Sequence, residues 1–183
     1  MAKKHITSLG LDLSLVGTGF VILTDGKIVD QGLIKSKPAG DRPIDELKRI
    51  QKIVADIDDN LQTLSSLDID IAVIEGLAFM AQGTSLVQLA ALNYMVRAML
   101  ADYGIPFVIV APTTLKKFIA SNGAAKKDAM MLETFKRYGV SILDNNICDA
   151  YGLSQVGLAL LGGNSKPTTK LQEEVINLLN KQL

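Results

Sequence analysis

The sequence predicts an α/β domain: a mixed five-stranded sheet, three antiparallel strands followed by parallel ones, flanked by helices. Two observations predict it. The opening third carries short apolar runs separated by tight-turn signals, which is the pattern of a meander. Past residue 42 the apolar period changes to steps of three and four, interrupted by two further short apolar runs. Strands that alternate with helices return parallel to one another, so the later strands join the first in parallel.

Each element follows in order. Ile6 to Ser14 is an apolar run holding one acid, Asp12. Val16-Gly17-Thr18-Gly19 reads as a tight turn before Phe20-Val21-Ile22-Leu23. Asp25-Gly26 is a hairpin signal, and Ile28 to Ile34 returns. Leu47, Ile50, Val54, Ile57, Leu61 and Leu64 form one stripe on a helix over about residues 42–64. Ile69 to Ile74 is a buried-type strand ending at Glu75-Gly76. A long helix over about 82–103 stops at Gly104, and residues 106–110 form the last strand. Pro112 opens a helix, with others over about 125–138 and 146–162. This arrangement divides the chain into a domain over residues 1–163, then a linker and a C-terminal amphipathic helix over 164–183.

Composition narrows the function. The chain has 183 residues, 48% hydrophobic, enough for a core without disulfide or metal staples. Lys+Arg and Asp+Glu both number 19, which excludes a strongly basic coat protein but leaves room for a local basic face. One cysteine, Cys148, and one histidine, His5, argue against a zinc site. The basic start runs into an apolar stretch interrupted by Asp12, unlike a signal peptide, and no span of 18 apolar residues appears. A cytoplasmic protein without a membrane partner is expected.

Three carboxylates sit in apolar surroundings. Asp12 lies within Leu9-Gly10-Leu11-Asp12-Leu13, Glu75 ends Ile71-Ala72-Val73-Ile74-Glu75, and Asp149 lies near the start of an apolar helix. A partly buried carboxylate is costly unless paired or bound to a cation. Singly, each could cap a turn or face solvent. Together they come from three elements, and two end strands that can be parallel neighbours, where ligand sites gather. An acid-only set suits Mg²⁺ or Mn²⁺, and two such ions can hydrolyse a phosphodiester.

Leu9-Gly10-Leu11-Asp12-Leu13-Ser14-Leu15-Val16-Gly17-Thr18-Gly19 resembles the first motif of RuvC-type Holliday-junction resolvases. Ile74-Glu75-Gly76 resembles their second acidic motif. Pro112-Thr113-Thr114-Leu115-Lys116-Lys117 with Gly123-Ala124-Ala125-Lys126-Lys127 resembles their basic segment. Asp144-Asn145-Asn146-Ile147-Cys148-Asp149-Ala150 resembles the last acidic motif in its phage-type form. The resemblance runs over about residues 6–160, in order. It implies an RNase H-like fold and a homodimeric, Mg²⁺-dependent endodeoxyribonuclease for Holliday junctions and other branched DNA. It further implies two ions per site, held by Asp12, Glu75 and Asp149, with Mn²⁺ able to substitute.

In the resemblance Lys126 best matches the family's basic position, with Lys116 next, which makes Lys126 a catalytic candidate beside the acids and puts Lys116, Lys117, Lys126 and Lys127 on DNA. Many members have a fourth ligand, Asp or His, just before the last acid; here Asn145 and Asn146 stand there. Asn146 can still offer a carbonyl to a metal without charge. Asp144 either compensates or caps the helix. Residues 111–139 hold six cations against Asp128 and Glu133, which is either a phosphate-binding face or a solvated helix face. Gly123 either lets the backbone approach a phosphate or ends a helix. Phe79-Met80 either wedges between bases or anchors a loop. The helix of Leu86, Leu89, Ala90, Asn93, Val96, Arg97 and Leu100 is core on one side and helps form the dimer interface in the resemblance. Cys148 reads as core and His5 as exposed, and the four tyrosines do not cluster as a stacking platform. Two other readings stand beside the resolvase: a branched-DNA binding protein with weakened catalysis, and a nuclease of the same fold acting on RNA.

Overall fold

A computed structural model describes residues 5–38, 40–63, 68–77 and 84–183. The strands β1 (Thr7–Asp12), β2 (Gly17–Thr24) and β3 (Lys27–Lys35) form an antiparallel meander. Asp25 and Gly26 both take positive φ, 52° and 85°, the geometry that a two-residue hairpin demands. β4 (Ile71–Glu75) pairs parallel to β1, and β5 (Phe107–Val110) parallel to β4, giving the order β3-β2-β1-β4-β5. The expected mixed five-stranded sheet is the one observed. One turn moves: Gly17–Gly19 belongs to β2, and the chain reverses over residues 13–16.

Helices cover both faces. On one side lie α1 (Pro43–Thr63) and α2 (Thr84–Asp102); on the other lie α3 (Pro112–Ala120), α4 (Lys127–Tyr138), α5 (Asn145–Leu160) and α6 (Lys170–Leu179). Strand alternation sorts the core accordingly. Leu9, Leu11, Phe20, Ile22, Ala72 and Ile74 pack with α1 and α2. Ile71, Val73, Val108 and Val110 pack with α3, α5 and α6. The expected α1 stripe packs at Ile50, Val54, Ile57 and Leu61 and is joined by buried Ile53, whereas Leu47 lies exposed. Leu64 lies outside the described residues.

α5 is the central pillar, buried along nearly its whole length against β1 and β2. Two glycines make room for it. A Cβ on Gly10 would stand 2.0 Å from the Ala150 carbonyl oxygen, and one on Gly19 would stand 2.3 Å from that of Asn146. Any side chain there forces helix and sheet apart.

α6 buries Val175, Ile176 and Leu179 in the same core as α3 and α5, and Gln172 donates to the Phe118 carbonyl at 2.7 Å. The chain then makes a single 3₁₀ turn, Asn180–Gln182. Here the Gln182 amide lies along edge strand β5, accepting from Ile109 N–H at 2.9 Å and donating to Ile109 C=O at 3.0 Å. Among the described residues no helix is long and apolar enough to cross a membrane.

Candidate active site

The pleat decides which acids meet. Asp12 shares its face of β1 with Ser8 and Gly10, the residues that approach α5. Glu75 shares its face of β4 with Ile71 and Val73, again the α5 side. Register places Leu11 opposite Ile74, so Asp12 and Glu75 end their strands side by side. Asp149 lies on α5 in line with Leu153 and Val156, which pack with Ile71 and Val73 of β4. Three elements therefore bring the three expected carboxylates to the carboxyl end of β1 and β4.

Their ionisation reflects that crowding. Burial, then the Asp12 charge and a hydrogen bond to Asp12, push the Glu75 carboxyl up to about 9, with Asp149 adding and Lys116 opposing. Glu75 thus holds a proton at neutral pH and donates it to Asp12. Asp12 is also raised, mainly by burial and further by Asp144, against the Glu75 bond and the Lys127 charge. Burial and the Asp12 charge push Asp149 up to about 6, opposed by Lys127 and Lys116.

These residues fit a hard divalent cation. All donors are carboxylate oxygens, Asp12 is 8% exposed, and a proton shared between two of them relieves the repulsion that a cation would relieve. As the side chains stand, no three His, Cys, Asp or Glu groups among the described residues close around an ion. Asp12 and Glu75 meet directly, and Asp149 acts on Glu75 by its charge.

The expected fourth position is occupied differently. Asp144 is the N-cap of α5, accepting from Asn146 N–H at 2.9 Å and Ile147 N–H at 3.1 Å. Its charge nevertheless reaches Asp12. Asn146 donates its amide to the Gly17 carbonyl at 2.8 Å, which ties the start of α5 to the start of β2. Asn145, the first residue of α5, is half-buried beside it.

The basic run divides in two. Arg137 donates to the Phe118 carbonyl at the end of α3, and Lys136 pairs with Glu133. Lys116, half-buried on α3, and Lys127, the first residue of α4, act on the acids. Lys117 and Lys126 are exposed on the same helices, and Lys126 is the N-cap residue of α4. Lys127, not Lys126, is the neighbour whose charge falls on Asp12 and Asp149. α3 ends at Ser121, which takes a positive φ of 53°, so Gly123 does not end that helix.

Further residues hold the site in place. Asn93 of α2, buried, donates to the Glu75 carbonyl at 3.2 Å. Arg49 of α1 donates to Ser36 Oγ at 2.9 Å and to the Leu15 carbonyl, while Ser36 Oγ donates to the same carbonyl at 2.7 Å. The turn that follows Asp12 is thereby clamped to β3 and α1. A polar residue on a core stripe was the only sequence signal for Asn93, and Arg49 carried none.

The remaining candidates do not join the acid cluster. Cys148 is buried beside Thr134, and His5 is exposed against Asp25. Tyr138 and Tyr151 meet edge to face at 5.6 Å, with Tyr151 buried in the core. Phe79 and Met80 fall outside the described residues.

Comparison with solved structures gives the fold its relatives. Thermus thermophilus RuvC matches with a TM-score of 0.66 at 17% identity, covering 86% of this chain and 98% of that one. T. thermophilus RuvC in complex with Holliday junction substrate gives 0.68 at 17%, covering 82% and 91%. Fowlpox virus resolvase, in complex with substrate Holliday junction DNA, gives 0.51 at 10%, covering 85% and 99%. No protein-family model and no curated protein matches the sequence. The meander, the two parallel strands and the flanking helices are the RNase H-like fold of RuvC.

Proposed function

We propose that this protein is a nuclease that hydrolyses phosphodiester bonds in branched DNA, Holliday junctions among its substrates. The observation that carries the reading is the convergence of Asp12, Glu75 and Asp149 at the carboxyl end of the sheet, with Lys116 and Lys127 beside them. The likeness of fold to RuvC and to a viral resolvase, both bound to junctions in their own structures, supports the choice of substrate.

Asp12, Glu75 and Asp149 would hold Mg²⁺ or Mn²⁺, two ions per site, with Asn146 as a further oxygen donor. Such ions supply a polarised water and a stabilised leaving oxygen. The chain's own groups do the rest. Glu75 gives up the proton it shares with Asp12, which makes the pair a full dianion. Asp144, as N-cap, fixes the turn of α5 that bears Asp149. Lys127 and Lys116 offset charge on the scissile phosphate, while Lys117 and Lys126 hold the backbone on either side. A two-fold dimer through α2, whose exposed Val87 and Tyr94 face outward, would present two such sites to a two-fold junction.

One observation favours a second reading, a junction binder with weakened catalysis. The fourth ligand position carries an uncharged Asn146 already bonded to Gly17. A single experiment separates them. Labelled DNA four-way junction, fork and linear duplex, beside an RNA duplex, are incubated with Mg²⁺, Mn²⁺ or EDTA, using wild type and Asp12→Asn. Cuts in branched substrates that need both metal and Asp12 are expected. Tight junction binding without cuts would establish the second reading, and equal cutting of RNA would redirect the substrate.

A further inference from the structure

A second cluster of cations lies away from the acids. Lys35, Ser36 and Lys37, at the end of β3, face Lys48, Arg49 and Lys52 of α1 across a recess of 290 Å³. Lys52 pairs with Asp56. Among the described residues Lys35, Lys37, Lys48 and Arg49 form no ion pair. Arg49 is half-buried, its bonds to Ser36 and the Leu15 carbonyl go to uncharged oxygens, and it also borders the next recess beside Asp41, Asp45 and Glu46. Five donors on a guanidinium leave others free. Lys35, Lys37 and Lys48, without an ion pair among the described residues, repel each other around one recess on a chain of zero net charge. Acids border the cluster at two places: Asp56 holds Lys52, and Asp41, Asp45 and Glu46 line the recess next to Arg49, where Asp45 is held by Arg42.

The position is informative. Lys35 pairs with Gly17, and Asp12 with Gly19, so the cluster lies at the same end of the sheet as the acids. Two strand spacings, about 10 Å, separate β3 from β1. Lys116 and Lys127 flank the acids from the opposite side, on the helices that cover the other face. The acids thus lie between two basic surfaces, both within one turn of duplex, about 34 Å.

We propose that Lys35, Lys37, Lys48 and Arg49 form a second phosphate-binding surface that holds a DNA arm other than the one being cut. The inference rests on the branched-DNA reading above and adds to it where the second arm lies. A linear duplex needs one basic surface beside the acids; a branched one offers phosphates on both sides. Arg49 joins this surface to the turn that follows Asp12, so an arm seated there bears on the backbone that carries the first acid.

The test uses the full chain in EDTA, with a fluorescent four-way junction and a linear duplex as probes. Binding is measured against salt for wild type, for the triple variant Lys35→Gln, Lys37→Gln, Lys48→Gln, and for a control with Lys166→Gln, Lys170→Gln, Lys181→Gln. The control removes the same charge from exposed positions around α6, at the far edge of the sheet. Each phosphate contact contributes about 0.9 to the slope of log K against log salt. The triple variant is therefore expected to lower the junction slope by about 2–3 and to lower affinity at least about tenfold at physiological salt. The control and the linear duplex should change less. An unchanged junction slope, or an equal loss in the control, overturns the inference. Wild type that binds neither probe removes the branched-DNA reading itself, a result visible before any variant is compared.

Discussion

Replacing Glu75 with Gln should flatten the pH dependence of stability. Glu75 is pushed up to about 9 by burial and by Asp12, from an ordinary 4.5. A carboxyl raised in the folded state contributes stability fully below its unfolded value, and that contribution is lost as pH climbs toward the folded value. Between pH 4.5 and 9 the native chain therefore holds one proton more than the unfolded chain. One proton corresponds to about 1.4 kcal/mol per pH unit. For a chain of this size, that is a fall in melting temperature of about 3–5 °C per pH unit. Asp149 is half-ionised at about pH 6, so over the interval from about 7 to 8.5 the Asp12–Glu75 pair dominates. Gln keeps the shape and can still donate to Asp12, but it cannot titrate. Calorimetric melts without divalent ions should slope downward with pH in wild type and run nearly level in Glu75→Gln, which becomes the more stable protein at high pH. Because Mg²⁺ must displace that proton, its stabilisation of wild type should grow with pH. Parallel slopes in the two proteins would refute the shared proton and the cluster geometry behind it.

Other substitutions probe how the site is held. Gly10→Ala should destabilise the chain by about 3 kcal/mol in urea unfolding, because its Cβ meets the Ala150 carbonyl at 2.0 Å, and it should also lower cleavage by displacing Asp149. Lys127→Ala should slow single-turnover cleavage at saturating DNA about 10²-fold, whereas Lys126→Ala should act chiefly on DNA affinity; the reverse order would return the catalytic role to Lys126. Arg49→Ala leaves the Leu15 carbonyl to Ser36 alone and should cost about 1 kcal/mol of stability, read as a lower midpoint in urea.

Much of this was legible because it rests on local pattern. Asp25-Gly26 announced the hairpin through its left-handed geometry, and parallel β1 and β4 followed from the change of period. Asp12, Glu75 and Asp149 stood out because each interrupts or ends an apolar run. Neighbours recruited through tertiary structure were harder to see. Lys126 and Lys127 are adjacent and identical in type, and only the start of α4 decides which one reaches the acids. Arg49 lies 34 positions from Leu15, and nothing in either segment signals their contact. The α1 stripe widens to include Ile53 beside the expected Ile50, Val54 and Ile57, because the sheet covers more than one line of the helix. The close approach of α5 depends on glycines whose role becomes visible only once the helix lies across them.

The Gln182 amide has a consequence for how these molecules coexist in solution. In a parallel pair, alternate residues of the outer strand turn both backbone groups away from the neighbour, and on β5 one of these is Ile109. An open rung of this kind is a template on which a strand from another molecule can add. Gln182 fills it with a side chain that imitates a peptide group and has no next residue to continue the ladder. It acts as a chain terminator for sheet growth. Gln182→Ala should leave the monomer's site intact yet raise its tendency to form β-rich aggregates at high concentration.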